Sequence, residues 1–185
     1  VATAPQGAKV SVLAEVLAPG RRTNQVRVTG TDDEGHVVFA SLGATGHHRE
    51  SRLVGEFEHR PIVEAPEEAE RWASPFSGMG RFAGEGFVPP PFPENAGFTA
   101  VIEIRHPTIL EHPDPGPGRL CLWVRRKDHQ PITPAIAAYM ADMVPLSIAH
   151  ACEVVAGGIS LDNSMRIGAF RPSEWILLDL RPHLA

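Results

Sequence analysis

One stretch of this sequence constrains the architecture more than any other. From Thr133 to Cys152 the chain carries a broad apolar stripe at helical spacing: Ile136, Met140, Met143, Val144, Ile148 and Ala151. Thr133 is placed to cap the segment, and Pro134 to take its first helical position, where a missing N–H costs nothing. Gly157 and Gly158 then end it. A stripe that wide has to be buried against another element, and the sequence around it reads as strands. The spacing therefore predicts one long helix packed on an antiparallel sheet, an α+β chain.

The strands come in two groups. Val10, Val12 and Ala14 alternate with Ser11, Leu13 and Glu15, and Gly20 gives a turn. Residues 23–31 carry Val26 and Val28 at period two, Asp32 to Gly35 reads as a turn, and residues 36–45 make a third strand. Three strands with short turns predict a meander. In the second group Phe98, Ala100, Ile102 and Ile104 share one face, and Leu120 to Val124 follows after a proline-rich break. Past the helix, Ile159 to Ile167 and Trp175 to Leu180 read as two more strands. Residues 61–96 differ. Glu64, Glu67, Glu68 and Glu70 precede Gly78, Gly80, Gly84 and Gly86, and then Pro89, Pro90, Pro91 and Pro93. This composition predicts a linker or connecting loop, with no phosphate-binding glycine spacing.

Composition excludes several classes. A length of 185 residues suits one domain or two small ones. A formal charge of −5 and a pI of about 6.0 give no general footprint for nucleic acid or an anionic membrane. No apolar run is read as reaching the roughly 20 residues of a bilayer span, and no leader pattern opens the chain at Val1. Two cysteines, Cys121 and Cys152, exclude a disulfide framework and a four-thiolate zinc site. A reduced, cytoplasmic setting is the expectation. His47, His48, His106, His112 and Asp114 lack metal-ligand spacing, so no metal and no cofactor is expected.

The sharpest chemical feature is Asp142, a carboxylate inside the apolar stretch Tyr139 to Leu146. The sequence expects it partly buried and in need of hydrogen-bond donors. Its plainer reading is a helix aspartate on a solvent-facing edge. Pro145, three residues on, removes a helical donor and predicts a kink there. His150 is eight positions away, roughly 12 Å along a helix. That excludes a direct Asp–His dyad and disfavours a MaoC-type hydratase. Ser160, Asp162 and Ser164 share a face if residues 159–167 are a regular strand. Ser160 is the best-placed hydroxyl to meet Asp142.

Four segments together resemble the acyl-CoA thioesterase II family. They are Ala138-Tyr139-Met140-Ala141-Asp142-Met143-Val144-Pro145-Leu146, Gly158-Ile159-Ser160-Leu161-Asp162-Asn163-Ser164-Met165, Ser173-Glu174-Trp175-Ile176-Leu177-Leu178-Asp179, and Val12 to Arg22 ending in Gly20-Arg21-Arg22. The resemblance implies two hotdog halves in one chain, each a long helix wrapped by an antiparallel sheet. It places a partial first half at 1–60 without its helix, the connecting loop at 61–96, and a second half at 97–185 without its final strands. By the same resemblance Asp142 matches the catalytic aspartate and Ser160 its neighbouring hydroxyl. The family's glutamine near the end of the second half has no match in this chain. Asn163 stands where the family has a histidine, and Arg166 where it has a tryptophan. The implied activity is acyl-CoA thioester hydrolysis with Asp142 as general base. The alternative is a non-catalytic acyl-CoA-binding or assembly protein of the same fold. The implied substrate is acyl-CoA, a homodimer is expected, and Met140, Met143 and Trp175 are candidate walls for an acyl tunnel.

Overall fold

The computed structural model describes residues 7–47, 59–74, 76–83, 86, 88, 97–116, 118–158, 160–168 and 170–183. The chain divides into two compact units, Val1–Gly55 and Glu56–Ala185.

The first unit is the expected meander. Strands β1 (Ser11–Ala18), β2 (Thr23–Thr31) and β3 (Val37–Gly46) form an antiparallel sheet in chain order. Asp32 closes the second turn by accepting from the backbone N–H groups of Glu34 and His36 at 3.0 and 2.8 Å. Glu15 and Arg27 lie opposite each other on β1 and β2 and pair at 2.8 Å. Gly30 is the one buried residue among those described in this unit. It faces Phe39 across the β2–β3 ladder, and a Cβ there would fall 2.2 Å from the phenyl ring.

The second unit holds an antiparallel sheet in the order β5-β6-β8-β9, from β5 (Glu70–Trp72), β6 (Ile102–His106), β8 (Leu120–Arg126) and β9 (Trp175–Leu180). A small ladder joins β4 (Ile62–Val63) to β7 (Ile109–Glu111). Alternate residues of β6 and β8, namely Ile102, Ile104, Leu120, Leu122 and Val124, pack with Trp72, Ile132, Met140, Met143 and Leu180 into one core. Trp72 and Met79 both come from the stretch expected as linker. Trp72 is carried by β5, and Met79 is fully buried on a 3-10 turn, Ser77–Phe82. Gly78 there serves close packing: a Cβ on it would meet the Trp72 indole at 2.4 Å.

The long helix forms in two pieces, α2 (Pro134–Ala141) and α3 (Val144–Cys152). Thr133 accepts from the Ile136 N–H at 3.3 Å with Pro134 behind it, as its sequence predicts. Pro145 lies in the first turn of α3, where its missing donor is harmless, so the chain restarts a helix there rather than kinking one. Against the expectation that no apolar run reaches a span, Pro134–Cys152 taken across the break is 19 residues of mean hydropathy 1.3, which by length and composition alone could cross a membrane. Here Met140, Met143 and Ala149 are buried in the fold instead.

Two expected strands differ. Phe98–Val101 forms a helical turn, α1, and β6 starts only at Ile102. Residues 160–168 form no strand, and among the described residues no ladder bond reaches them. Leu161, Met165 and Ile167 stand exposed there. Alternation assigns side chains to faces, but a strand also needs a neighbouring edge to bond with.

Candidate active site

The break between α2 and α3 exists because two local preferences coincide. Helix α2 runs out at Ala141, Asp142 takes φ −78° and ψ 30° as its cap, and Pro145 seeds the next helix. Asp142 therefore leaves the helical face at the one irregular turn between the two helices. Gly157 and Gly158 bring the returning chain across this turn. A Cβ on Gly158 would lie 3.2 Å from the Pro145 ring, tighter than ordinary contact, so the close approach favours glycine. Ser160 follows two residues later, and its Oγ donates to Asp142 Oδ1 at 2.5 Å.

The pairing of Asp142 with Ser160 across eighteen positions is as expected from the sequence. The burial is not. Asp142 is exposed, because capping α2 turns it away from the core that Met140 and Met143 fill. It stands where two clefts adjoin. One, of about 330 Å³, is lined mainly by apolar groups, with Phe76, Phe98, Tyr139, Met143 and Leu146 around Asp142. Phe98 and Tyr139 pack with ring centroids 5.4 Å apart. The other, of about 480 Å³, holds Asp142 and Ser160 with Asp162, Asn163 and Ser164. Of the three residues expected to wall an acyl tunnel, only Met143 lines the apolar cleft. Met140 is fully buried in the core, and Trp175 lies under the Arg125 and Arg105 guanidinium groups, 4.5 and 5.5 Å from its ring. Phe76, Phe98 and Tyr139 escaped the sequence reading. Phe98 sits in the segment taken for strand, and no local spacing joins the three.

His150 makes no contact with the acid, as its spacing requires. It is buried at the far end of α3, stacked 5.9 Å from Trp72 and edge-on to Phe82, and Arg81 donates to its Nδ1 at 2.5 Å. Burial first, then the positive Arg81 and the neighbouring His106, push its pKa down to about 4. A second polar group gathers His112, Cys121 and Asp179, whose donor atoms all lie within 4.8 Å of one another. These are ligand types that suit a divalent metal, though Asp179 Oδ1 already accepts from Arg119 at 3.2 Å. Burial, then the nearby Asp179 carboxylate, raises the Cys121 thiol to about 11. The three residues come from separate segments, so no sequence spacing announces them.

Residues 66–185 match the family described as acyl-CoA thioesterase C-terminal domain. The chain is similar to a protein of Novosphingobium aromaticivorans DSM 12444 provisionally described as a thioesterase. Identity is 33% and the TM-score 0.73, over 97% of this chain and 63% of that one. It is also similar to a conserved protein of unknown function with a hot dog fold from Alicyclobacillus acidocaldarius. There identity is 19% and the TM-score 0.56, over 79% of this chain and 48% of that one. The chain thus spans less than two thirds of either structure. No curated protein matches it.

Proposed function

The chain belongs to the acyl-CoA thioesterase C-terminal domain family and has a hotdog fold, and from that premise we propose that it hydrolyses acyl-CoA thioesters with Asp142 as general base. The observation that carries this reading is the Ser160–Asp142 hydrogen bond at the mouth of a cleft of mainly apolar lining. Ser160 fixes one carboxylate oxygen, and Oδ2 takes a water. Asp142 removes the proton as that water attacks the thioester carbonyl, a contribution of roughly 10²–10⁴ in rate. The tetrahedral intermediate collapses, the carbon–sulfur bond breaks, and the proton held by Asp142 passes to the departing thiolate. A thiol of pKa about 8.5 leaves readily, so no strong acid is required. The first turn of α3 begins two residues beyond Asp142, and its positive dipole end stabilises charge developing on the carbonyl oxygen. The acyl chain lies along Phe98, Tyr139, Met143 and Leu146.

A second reading, acyl-CoA binding without hydrolysis, draws on one observation: Asp142 is exposed, whereas a working base is commonly shielded from bulk water. Thiol release from acyl-CoA substrates of graded chain length separates the two. Release by the purified chain that Asp142→Asn abolishes supports hydrolysis. Saturable binding with no release supports the alternative.

A further inference from the structure

The larger of the two clefts that meet at Asp142, of about 480 Å³, lies between α3 and the chain that returns after it. From α3 come Val144, Pro145 and Ile148, at spacings of three and four that set them along one side of the helix. From the returning chain come Val154 and the run Ser160 to Ser164. The lining is mixed. Val144, Val154 and Leu161 are large apolar side chains left exposed here, Leu161 by 83%. Asp162, Asn163 and Ser164 are exposed with them, and among the described residues their side chains make no hydrogen bond or ion pair. The smaller cleft is built differently. Besides Asp142, the Tyr139 hydroxyl is its one polar side-chain group among the described residues. The two clefts share Asp142, Pro145 and the stretch from Ala156 to Gly158, and Asp142 is the one charged residue common to both.

We propose that the larger cleft holds the pantetheine arm of the thioester, while the acyl chain keeps the smaller one. The inference rests on the acyl-CoA reading and adds how the site recognises the thiol side of its substrate. A thioester has two arms that diverge at the reacting bond, and the site has two clefts that diverge at its acid. Hydrogen bonding decides which arm enters which. The pantetheine arm carries two amides, and an amide taken from water without a partner is costly. In the larger cleft Asp162 accepts from an amide N–H, Ser164 donates to a carbonyl, and Asn163 does either. The methylenes and geminal methyl groups of the arm cover Val144, Val154 and Leu161, apolar surface that the chain itself leaves in water. The reverse placement fails at both ends. An acyl chain in the larger cleft would cover three polar side chains without bonding them, and the amides would meet mainly apolar groups in the smaller one. Asp142 and Asp162 also make the larger cleft acidic. It admits a neutral arm and turns phosphate away, so the nucleotide end of coenzyme A lies beyond it.

The test is thiol release by the whole chain from two thioesters of one acyl group, hexanoyl-pantetheine and hexanoyl-N-acetylcysteamine. The second ends after its first amide, so it keeps the reacting bond and loses most of the arm. The pantetheine thioester should have the higher kcat/KM by about tenfold or more, the worth of one or two further hydrogen bonds with the apolar contact beside them. The double substitution Asn163→Ala, Ser164→Ala should cut that advantage to about threefold or less. Both side chains are exposed, so its circular dichroism should match that of the unaltered chain. Leu146→Ala, in the smaller cleft, should slow both thioesters alike and keep the advantage. An unaltered chain that shows no advantage overturns the proposal. So does a folded double variant that keeps it, or a folded Leu146→Ala protein that loses it. If no thiol is released at all, calorimetric titration with pantetheine and N-acetylcysteamine reads the same advantage in binding. Its loss in the double variant upholds the pantetheine cleft and removes only the hydrolase reading, and its absence from the unaltered chain overturns the cleft as well.

Discussion

The two ends of α3 put polar groups to opposite uses. At its start Asp142 is exposed, held by one hydroxyl and open to two clefts. Near its end His150 is 6% exposed, wedged among Trp72, Phe82 and Arg81, with a buried Nε2 that has no hydrogen-bond partner. Eight positions of the chain, from the turn before α3 to near its end, separate a group that keeps its access to water from one that gave it up. Arg81 donates to Nδ1, so that nitrogen is the acceptor and Nε2 carries the proton. An orphaned buried donor costs roughly 1–3 kcal/mol, and here the ring's packing has to offset it. A polar residue near a cleft is therefore weak evidence of chemistry until its access to solvent and its partners are known.

The comparison breaks most visibly if the acid end proves inert. Asp142→Asn should lower thioester hydrolysis by about 10²–10⁴ with little change in melting temperature, because the exposed side chain carries no core packing. Full activity in that variant would leave α3 with no chemical end. The histidine end should behave the other way. His150→Ala should destabilise the fold by about 2–4 kcal/mol through the cavity it leaves beside Trp72, read by denaturant melting, while activity per folded molecule is kept. A loss of activity without loss of stability would put His150 in the chemistry.

Acid sharpens the contrast next. The His150 pKa falls from 6.5 to about 4 on folding, through burial, then Arg81, then His106. His106 is itself depressed by burial and Arg81, with Glu70 opposing. Between those values the unfolded chain binds the proton and the folded chain does not. Stability from this group is thus fully present above about pH 6.5 and is lost as pH falls toward 4, by up to about 3 kcal/mol. His150→Leu should flatten that part of the stability–pH curve, and an unchanged slope would assign the acid sensitivity elsewhere. The smallest effect belongs to Ser160. Ser160→Ala removes one exposed hydrogen bond and should lower kcat by about tenfold or less, with stability unmoved. A drop as large as that of Asp142→Asn would make Ser160 more than a positioning group.

How much of this was legible in the sequence depends on whether local rules were enough. The first-unit strands, β8, β9 and the Thr133–Pro134 helix start follow from alternation and capping, which act within a few residues, and of β6 only Ile102 to Ile104 lay within the expected strand. The Asp142–Ser160 contact was legible through the family resemblance, which sets the two side by side, and not through burial, since Asp142 is exposed. The exposure of that same aspartate was not, since it follows from Pro145 ending one helix and starting another. Residues 160–168 show the strand pattern without the strand, because pattern cannot supply a partner edge. Trp72 and Met79 were hidden in a stretch whose glycines read as flexibility. One of them, Gly78, permits close packing on Trp72. The His112, Cys121 and Asp179 cluster is assembled only by the fold.

The interruption at Asp142 bears also on how the chain is handled during synthesis. Pro134–Cys152 has the length and hydropathy of a segment that an insertion channel could pass into lipid. An aspartate near the centre of such a segment adds roughly 2.5–3.5 kcal/mol to the free energy of insertion, and the adjoining proline interrupts the backbone bonding that lipid demands. The same two residues that open the site thus weigh against misrouting of the most apolar helix pair in the described structure. A substitution chosen only to straighten or stabilise the helix here, such as Asp142→Leu with Pro145→Ala, would remove that discrimination together with the acid.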